Sequence, residues 1–304
     1  MPVLVRLGLI GAGRWGSNYI RTVASLPNVR LARLASRNPD SARLAPAACA
    51  IVADWRELLD PRELDGVIVA TPPRLHAEMA LAAIDAGLPV LVEKPLTLSV
   101  AEAHAVRNRA RERGVFALVG HMHLFHPAYR MLKLIQPRYG EIRAIRGEAS
   151  NHGPYRPDVP VLWDWGAHDL AMCLDLIGAP PEQSAVTILE HESVDGGIGE
   201  TVQLELAFAS GVSASLRLSN LSEKRRWLAV QCERGVLVYD DLAAQKLVVT
   251  EGASKHAIEI ADDLPLSVAV REFAASIRSG NRDLSELDLG LRVVETLALL
   301  QSSA

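Results

Sequence analysis

The stretch Val3-Leu4-Val5-Arg6-Leu7-Gly8-Leu9-Ile10-Gly11-Ala12-Gly13-Arg14-Trp15-Gly16 decides the fold of this chain. Its apolar run predicts a buried strand, and its glycines follow the pattern Gly-x-Gly-x-x-Gly at the start of a helix. Gly11 permits a tight turn, Gly13 lets the backbone approach a pyrophosphate, and Gly16 lets helix and strand pack closely. The helix N-terminus then offers unpaired N–H groups to phosphate. The stretch therefore predicts a site for a dinucleotide.

Short apolar runs alternate with amphipathic runs as far as about residue 120. The pattern predicts strands over 3–10, 29–35, 66–70, 90–92 and 116–119, and helices over 15–26, 76–86 and 100–113. Strands that alternate with helices indicate a parallel sheet covered on both faces. We therefore predict a doubly wound α/β domain of the Rossmann type over residues 1–120.

Beyond residue 120, β-branched and alternating runs follow one another with few helices between them. They predict strands over 142–149, 185–191, 201–209, 212–218, 227–232 and 236–239, and helices over 127–135, 167–177, 265–279 and 285–300. The pair Ser210-Gly211 predicts a hairpin turn. We expect residues 121–304 to form an α+β domain with a large, mostly antiparallel open sheet that binds the substrate. Because such a sheet exposes an apolar face, we expect a homodimer or homotetramer.

The composition of the chain bears on its binding partners and on its location in the cell. The chain has 304 residues, a formal net charge of -4 and three cysteines. This charge gives no reason to expect nucleic acid, and the basic run Lys224-Arg225-Arg226 is interpreted as a solvated strand end or loop. No apolar run is long enough for a membrane span. Few, scattered cysteines are typical of a reduced, cytoplasmic protein without a disulfide framework.

The end of the second predicted strand bears on the choice of coenzyme. NAD is usually held there by an acidic residue, but this chain has Ser36 and Arg37. A guanidinium suits the 2′-phosphate of NADP. The sequence therefore favours NADP over NAD, with an ordinary surface charge at Arg37 as the alternative.

Two later strand ends carry further candidate residues. Thr71 and Pro72 follow one buried run, and Glu93-Lys94-Pro95 follows the next. Carboxyl ends of parallel strands meet at the edge of the sheet where ligands bind. Lys94 is therefore a candidate proton donor to a substrate oxygen. His76 lies at a helix start, where it either contacts the coenzyme or packs.

A further group of candidates lies in the second domain. Asp164 and His168 are four residues apart, so a helix that begins here would present both on one face. An imidazole supported by a carboxylate suits proton transfer. The alternative is a capping aspartate with a packed histidine. Trp165, His121 and His123 are candidate pocket residues, and the spacing of His121, His123 and His126 predicts rings that point apart and hold no metal.

These motifs together resemble the Gfo/Idh/MocA family of sugar and cyclitol oxidoreductases, and the Trp163-Asp164 pair is similar to a subgroup linked to nucleotide-sugar metabolism. The resemblance implies that Lys94 and His168 are the catalytic pair and that Asp164 orients the substrate. It also implies that Glu93 and Lys94 touch the nicotinamide ribose. With the residues taken from the motifs themselves, we expect the substrate against Lys94, His123, Asp164, Trp165 and His168, and the coenzyme against Gly11, Gly13, Arg14, Trp15, Gly16, Ser36, Arg37, Thr71, Pro72, His76, Glu93, Lys94 and His121.

Departures from the family pattern leave the substrate open. Pro160-Val161 replaces a common Gly-Gly pair, and His121-Met122-His123 replaces an Asn-x-Arg element. We therefore expect an NAD(P)-dependent enzyme that moves hydride to or from a carbinol carbon of a sugar, sugar derivative or cyclitol. The alternatives are a coenzyme-binding regulator without turnover, and an enzyme that uses tightly held NAD transiently for elimination, hydrolysis or epimerisation.

Overall fold

The computed structural model describes residues 4–156 and 159–303. Over these residues the helices are α1 (Arg14–Ser25), α2 (Ser41–Leu44), α3 (His76–Asp85), α4 (Val100–Arg113), α5 (Pro127–Ile135), α6 (Val161–Asp164), α7 (Gly166–Ile177), α8 (Pro265–Ser279) and α9 (Ser285–Ser302). None of the helices described is both long enough and apolar enough to cross a bilayer.

The first sheet is parallel throughout the described residues. Its strands are β1 (Val5–Ile10), β2 (Val29–Ala35), β3 (Ala50–Val52), β4 (Gly66–Val69), β5 (Val90–Glu93) and β6 (Ala117–Gly120). They lie in the order β3-β2-β1-β4-β5-β6, and β4, β5 and β6 are buried along their whole length. The strand order reverses between β1 and β4, which is where open α/β sheets bind ligands. The predicted doubly wound sheet is confirmed.

The second sheet is larger and mostly antiparallel. It contains β7 (Ile142–Ser150), β8 (Gln183–Val194), β9 (Gly197–Ala207), β10 (Ser213–Ser219), β11 (Arg225–Cys232), β12 (Val236–Asp240), β13 (Leu247–Glu251) and β14 (Ser254–Ala257). The order is β14-β13-β12-β11-β7-β10-β9-β8, with β7 and β10 parallel. A turn with Gly211 at φ 81° joins β9 to β10, as Ser210-Gly211 predicted. Helix α7 packs on β7 and β10.

The compact units differ from the two continuous segments that we predicted. One unit takes the chain up to Met122 together with Leu264–Val294, and the other takes His123–Asp263 with the residues from Glu295 onward. The chain passes from one unit to the other between Met122 and His123. Helix α8 belongs to the first unit, where Phe273 stacks on Phe116 at 6.2 Å between ring centroids and is fully buried.

Candidate functional site

The glycine turn has the geometry of a dinucleotide cradle. Gly11 has φ 98°, and a Cβ there would come 2.7 Å from the carbonyl oxygen of Ala70. A Cβ on Gly16 would collide with the carbonyl of Gly11, whereas a Cβ on Gly13 would meet no heavy atom within 4 Å. Gly13 precedes α1, no side chain caps the first amides of α1, and Arg14 and Trp15 are exposed beside them. These features fit a bound pyrophosphate.

A buried carboxylate anchors the strand end that carries Lys94. Oε1 of Glu93 accepts a 2.7 Å hydrogen bond from the hydroxyl of Tyr19, and Oε2 accepts one of 3.2 Å from the backbone N–H of Lys94. Burial raises the pKa of Glu93 above its ordinary value, although the Tyr19 bond and the charge of Lys94 oppose this rise. The carboxylate therefore has a partner on each oxygen, and Lys94 is held half-buried at the end of β5.

His76 ties two strand ends together. Its ring is fully buried, with Nδ1 2.8 Å from the carbonyl of Pro95 and Nε2 2.9 Å from the carbonyl of Thr71. Burial lowers the pKa of His76 more than these carbonyls raise it, so the ring is favoured as neutral with one N–H to donate. Of the two roles left open for His76, this geometry favours packing. The ring supports Thr71 and Pro72 on one side and Pro95 on the other.

His121 follows β6 in the same unit and is 1% exposed. Neither of its ring nitrogens has a hydrogen-bond partner among the described residues. Burial, and then the charge of Lys94, lowers the pKa of His121 to about 3. A buried, neutral imidazole with unused hydrogen-bonding capacity beside Lys94 is a candidate contact for a ligand.

Ser36 and Arg37 lie at the end of β2. The Ser36 hydroxyl accepts hydrogen bonds from the N–H of Asn38 at 3.1 Å and the hydroxyl of Ser41 at 2.6 Å. Arg37 is exposed. Ser36 therefore shapes the turn, and the Arg37 guanidinium is open to solvent at the position where a coenzyme 2′-phosphate is expected.

In the second unit α7 lies within one residue of the helix predicted over 167–177, but Asp164 and His168 do not share a helix. Asp164 ends α6, Trp165 intervenes, and His168 lies in the first turn of α7. Asp164 pairs with Arg156 at 3.6 Å. His168 is 7% exposed and Asp169 is 4% exposed, and burial raises the pKa of Asp169 to about 6 against the opposing charge of Arg226.

His168 packs against a chain of rings. Its ring meets that of His123 edge-on, with centroids 5.1 Å apart and planes at 88°. The ring of Tyr239 contacts the rings of His123 and His126, with centroids 6.1 and 5.0 Å away respectively. His126 is 3.2 Å from Asp241. His123 and His126 thus both contact Tyr239.

Sequence reasoning missed Arg226. We interpreted the basic run at 224–226 as solvated, and Lys224 and Arg225 are exposed. The guanidinium of Arg226 instead lies 4.9 Å over the ring of Trp165 and 3.0 Å from Nε2 of His123. Strand alternation was the signal that could have found it, because successive side chains of a strand point to opposite faces.

No group of three or more metal-ligating side chains is arranged around a common point in the described part of the chain.

Comparison with known proteins defines the class. Residues 5–121 match the model of an oxidoreductase family with an NAD-binding Rossmann fold, and residues 131–238 match the GFO/IDH/MocA C-terminal domain. The chain is thus an NAD(P)-dependent oxidoreductase. It belongs to the Gfo/Idh/MocA family.

Several relatives cover nearly the whole chain. A crystal structure of a protein from Magnetospirillum magnetotacticum MS-1 is 49% identical, covers 98% of this chain and 99% of its own, and has a TM-score of 0.93. UDP-N-acetylglucosamine 3-dehydrogenase from Acidithiobacillus ferrooxidans is 25% identical over 100% of this chain and 98% of its own, with a TM-score of 0.87. The 4-carboxy-2-hydroxymuconate-6-semialdehyde dehydrogenase of Sphingobium sp. strain SYK-6 is 26% identical over 93% of each chain.

Proposed function

We propose that this protein transfers hydride between the nicotinamide of NAD(P) and a carbinol carbon of a sugar, a sugar derivative or a cyclitol. The observation that carries the proposal is the junction in the first unit, where Tyr19 of the helix after the glycine turn holds Glu93 beside Lys94. This junction links the predicted coenzyme cradle to a cation suited to a substrate oxygen. The similarity to a UDP-sugar dehydrogenase supports a sugar-like substrate that is nucleotide-linked or free.

The chain's own residues supply binding and proton transfer. The amides at the start of α1, with Arg14 and Trp15, bind the coenzyme phosphates, and Thr71, Pro72, Glu93 and His121 line the nicotinamide half. The nicotinamide ring, when bound, accepts or donates the hydride at C4. Lys94 and His168 are the proposed pair that exchanges the hydroxyl proton and polarises the oxygen, and Asp164 orients the substrate. Trp165 and His123 line the substrate pocket beside His168.

The proposed coenzyme is NADP in preference to NAD, on the strength of the exposed Arg37 and the lack of an acid at the end of β2. We further place the enzyme in the cytoplasm as a homodimer or homotetramer. The free cysteines support the cytoplasmic location. The oligomer is supported by the exposed apolar residues Ile188, Leu189 and Ile198 on β8 and β9. A monomer at micromolar concentration in light scattering would contradict the oligomer.

A substrate panel tests the proposal. Neutral sugars, sugar acids, cyclitols and nucleotide sugars are offered with NAD and NADP in turn, and the absorbance of the reduced nicotinamide is followed. We expect stoichiometric release of reduced coenzyme with one group of substrates. Product formed without reduced coenzyme in solution would favour transient use of a held coenzyme. Coenzyme binding with no conversion of any substrate would favour a regulator.

A further inference from the structure

The two ring nitrogens of His123 have neighbours that fix its protonation. Nδ1 is 2.9 Å from the hydroxyl oxygen of Tyr239, and Nε2 is 3.0 Å from Nη1 of Arg226. A guanidinium has five N–H donors and no acceptor. Nε2 therefore accepts from Arg226, and the single proton of the ring is on Nδ1, which donates to Tyr239. This is a neutral imidazole held in one tautomer.

Arg226 is itself held in place for this contact. Its guanidinium stacks on Trp165, the residue between α6 and α7, so the contact joins β11 to the turn that precedes His168. The neighbouring Arg225 is directed to Glu148, 3.8 Å away, and is largely exposed. Strand β11 thus presents one arginine to each face, and only Arg226 reaches the ring cluster.

The charged groups around His123 come from four elements. Arg226 comes from β11. Tyr239 comes from β12, and Asp241 directly follows that strand. His168 and Asp169 come from α7, and His126 lies three residues after His123. The hydrogen bond from His126 is the main cause that lowers the pKa of Asp241 to about 2. If Nε2 of His123 were protonated, its N–H would face an N–H of Arg226 and no acceptor would lie between them. The protonated ring would also add a positive charge beside His168.

We propose that Arg226 and Tyr239 are positioning residues that keep His123 as the uncharged Nδ1–H tautomer, so that His168 exchanges its proton beside a neutral ring. This rests on the proposed function, in which the O–H bond of the substrate breaks, an N–H bond forms on His168, and the hydride leaves to oxidised NAD(P). His123 exchanges no proton in this step. Its ring sets the orientation and the electrostatic surroundings of His168.

The first test measures the tautomer directly. ¹⁵N-labelled protein with NADP is examined by long-range proton–nitrogen correlation, and the His123 signals are assigned by their loss in His123→Gln. We expect Nε2 to stay unprotonated from about pH 5.5 to about pH 8, and Arg226→Gln to let the ring titrate near about pH 6.5. Wild-type His123 with its proton on Nε2, or half-protonated near about pH 6.5, would overturn the proposal.

The second test asks whether the tautomer matters to turnover. In Arg226→Gln the fall of kcat at low pH should begin about one pH unit higher than in the wild type, while KM changes less than about threefold. In Arg226→Lys the fall should begin at a pH between these two values. Arg225→Gln, with the same change of charge on the adjacent residue, should give the wild-type profile. Tyr239→Phe should lower kcat several-fold without moving the limb, because Arg226 still bonds Nε2.

Superimposable profiles for the two arginine variants would overturn the role of Arg226. The nitrogen signals are measured without turnover, so the proposed function and the proposed role of Arg226 can each be contradicted without the other. A protein that converts no substrate removes the proposed function and leaves the tautomer measurable. An active enzyme whose His123 titrates freely removes only the inference about Arg226.

Discussion

The hydroxyl of Tyr19 donates a 2.7 Å hydrogen bond to Oε1 of Glu93 across a sequence separation of 74 residues. Both side chains are buried. The bond joins α1, which begins at the glycine turn, to the end of β5, where the backbone N–H of Lys94 bonds the other carboxylate oxygen. The position of Lys94 is therefore coupled to the helix that is proposed to bind the coenzyme phosphates.

Replacement of Tyr19 by phenylalanine tests this coupling. Tyr19→Phe leaves a buried carboxylate oxygen without its donor, which should lower the free energy of unfolding by about 1–3 kcal/mol and lower kcat about tenfold. Tyr129→Phe is the matched control, because the Tyr129 hydroxyl donates a bond of the same 2.7 Å length to Asp175 in the second unit. Urea denaturation and steady-state kinetics should show both variants destabilised and only Tyr19→Phe slowed. Equal kcat values for the two variants would exclude the coupling.

The glycine turn offers a test that separates coenzyme binding from folding. The Cβ of Gly13→Ala would meet no protein atom within 4 Å, so the melting temperature should change little. The same methyl group would stand where the backbone approaches the pyrophosphate, and we expect the dissociation constant for NADP to rise at least about tenfold. Gly16→Ala, whose Cβ collides with the Gly11 carbonyl, should instead lose stability. Unchanged affinity of Gly13→Ala for the reduced coenzyme NADPH, measured by the fluorescence of its nicotinamide, would contradict the proposed pyrophosphate site.

Arg37 tests the choice of coenzyme. Arg37→Gln should lower kcat/KM for NADP at least about tenfold and leave kcat/KM for NAD within about threefold, because only NADP carries the 2′-phosphate. Arg43→Gln, a change at another exposed arginine nearby, is the control. An equal loss of kcat/KM with both coenzymes, or no loss with either, would show that Arg37 is an ordinary surface charge.

Asp169 predicts a pH dependence of stability. Burial raises its pKa from 3.8 to about 6. Between these values the folded protein holds a proton on Asp169 that the unfolded chain has released, so the contribution of Asp169 to the free energy of unfolding falls as the pH rises from about 4 to about 6. Asp169→Asn should remove that fall and raise the free energy of unfolding at pH 8 by about 2–3 kcal/mol.

Urea denaturation at three pH values, with the exposed Asp262→Asn as control, measures this effect. An Asp169→Asn profile that runs parallel to the wild-type profile between about pH 4 and about pH 6 would show that the Asp169 pKa is not raised in the folded state.

Elements with local start and stop signals could be predicted from the sequence. Helix α4 begins after Ser99, whose hydroxyl accepts from the N–H of Glu102, and ends at Gly114 with φ 62°. Helices α5 and α8 begin at Pro127 and Pro265. All three have the predicted bounds. The three-residue strand β3, the edge strand β14 and its neighbour β13 were missed, because such short segments carry too little pattern to separate strand from loop.

The candidate site could be predicted by residue type but not by contact. The motifs pointed to Lys94 and His168, yet nothing local in the sequence indicates that Arg226 reaches His123. Tyr19 had a weak signal, since the buried residues Gly16, Tyr19, Ile20 and Val23 of α1 repeat at helical spacing and so face inward. Its partner Glu93 depends on the pairing of distant strands, which a single sequence does not reveal.

The central proposal is that Lys94 and His168 act in one chemical step, and a double-mutant cycle on the rate of hydride transfer tests it most directly. Lys94→Ala should keep NADP affinity within about threefold and lower the rate at least about a hundredfold, as should His168→Ala. Residues that act as a unit are strongly non-additive, so we predict a double variant no more than about threefold slower than the slower single variant. Losses that multiply fully in the double variant would contradict a shared step.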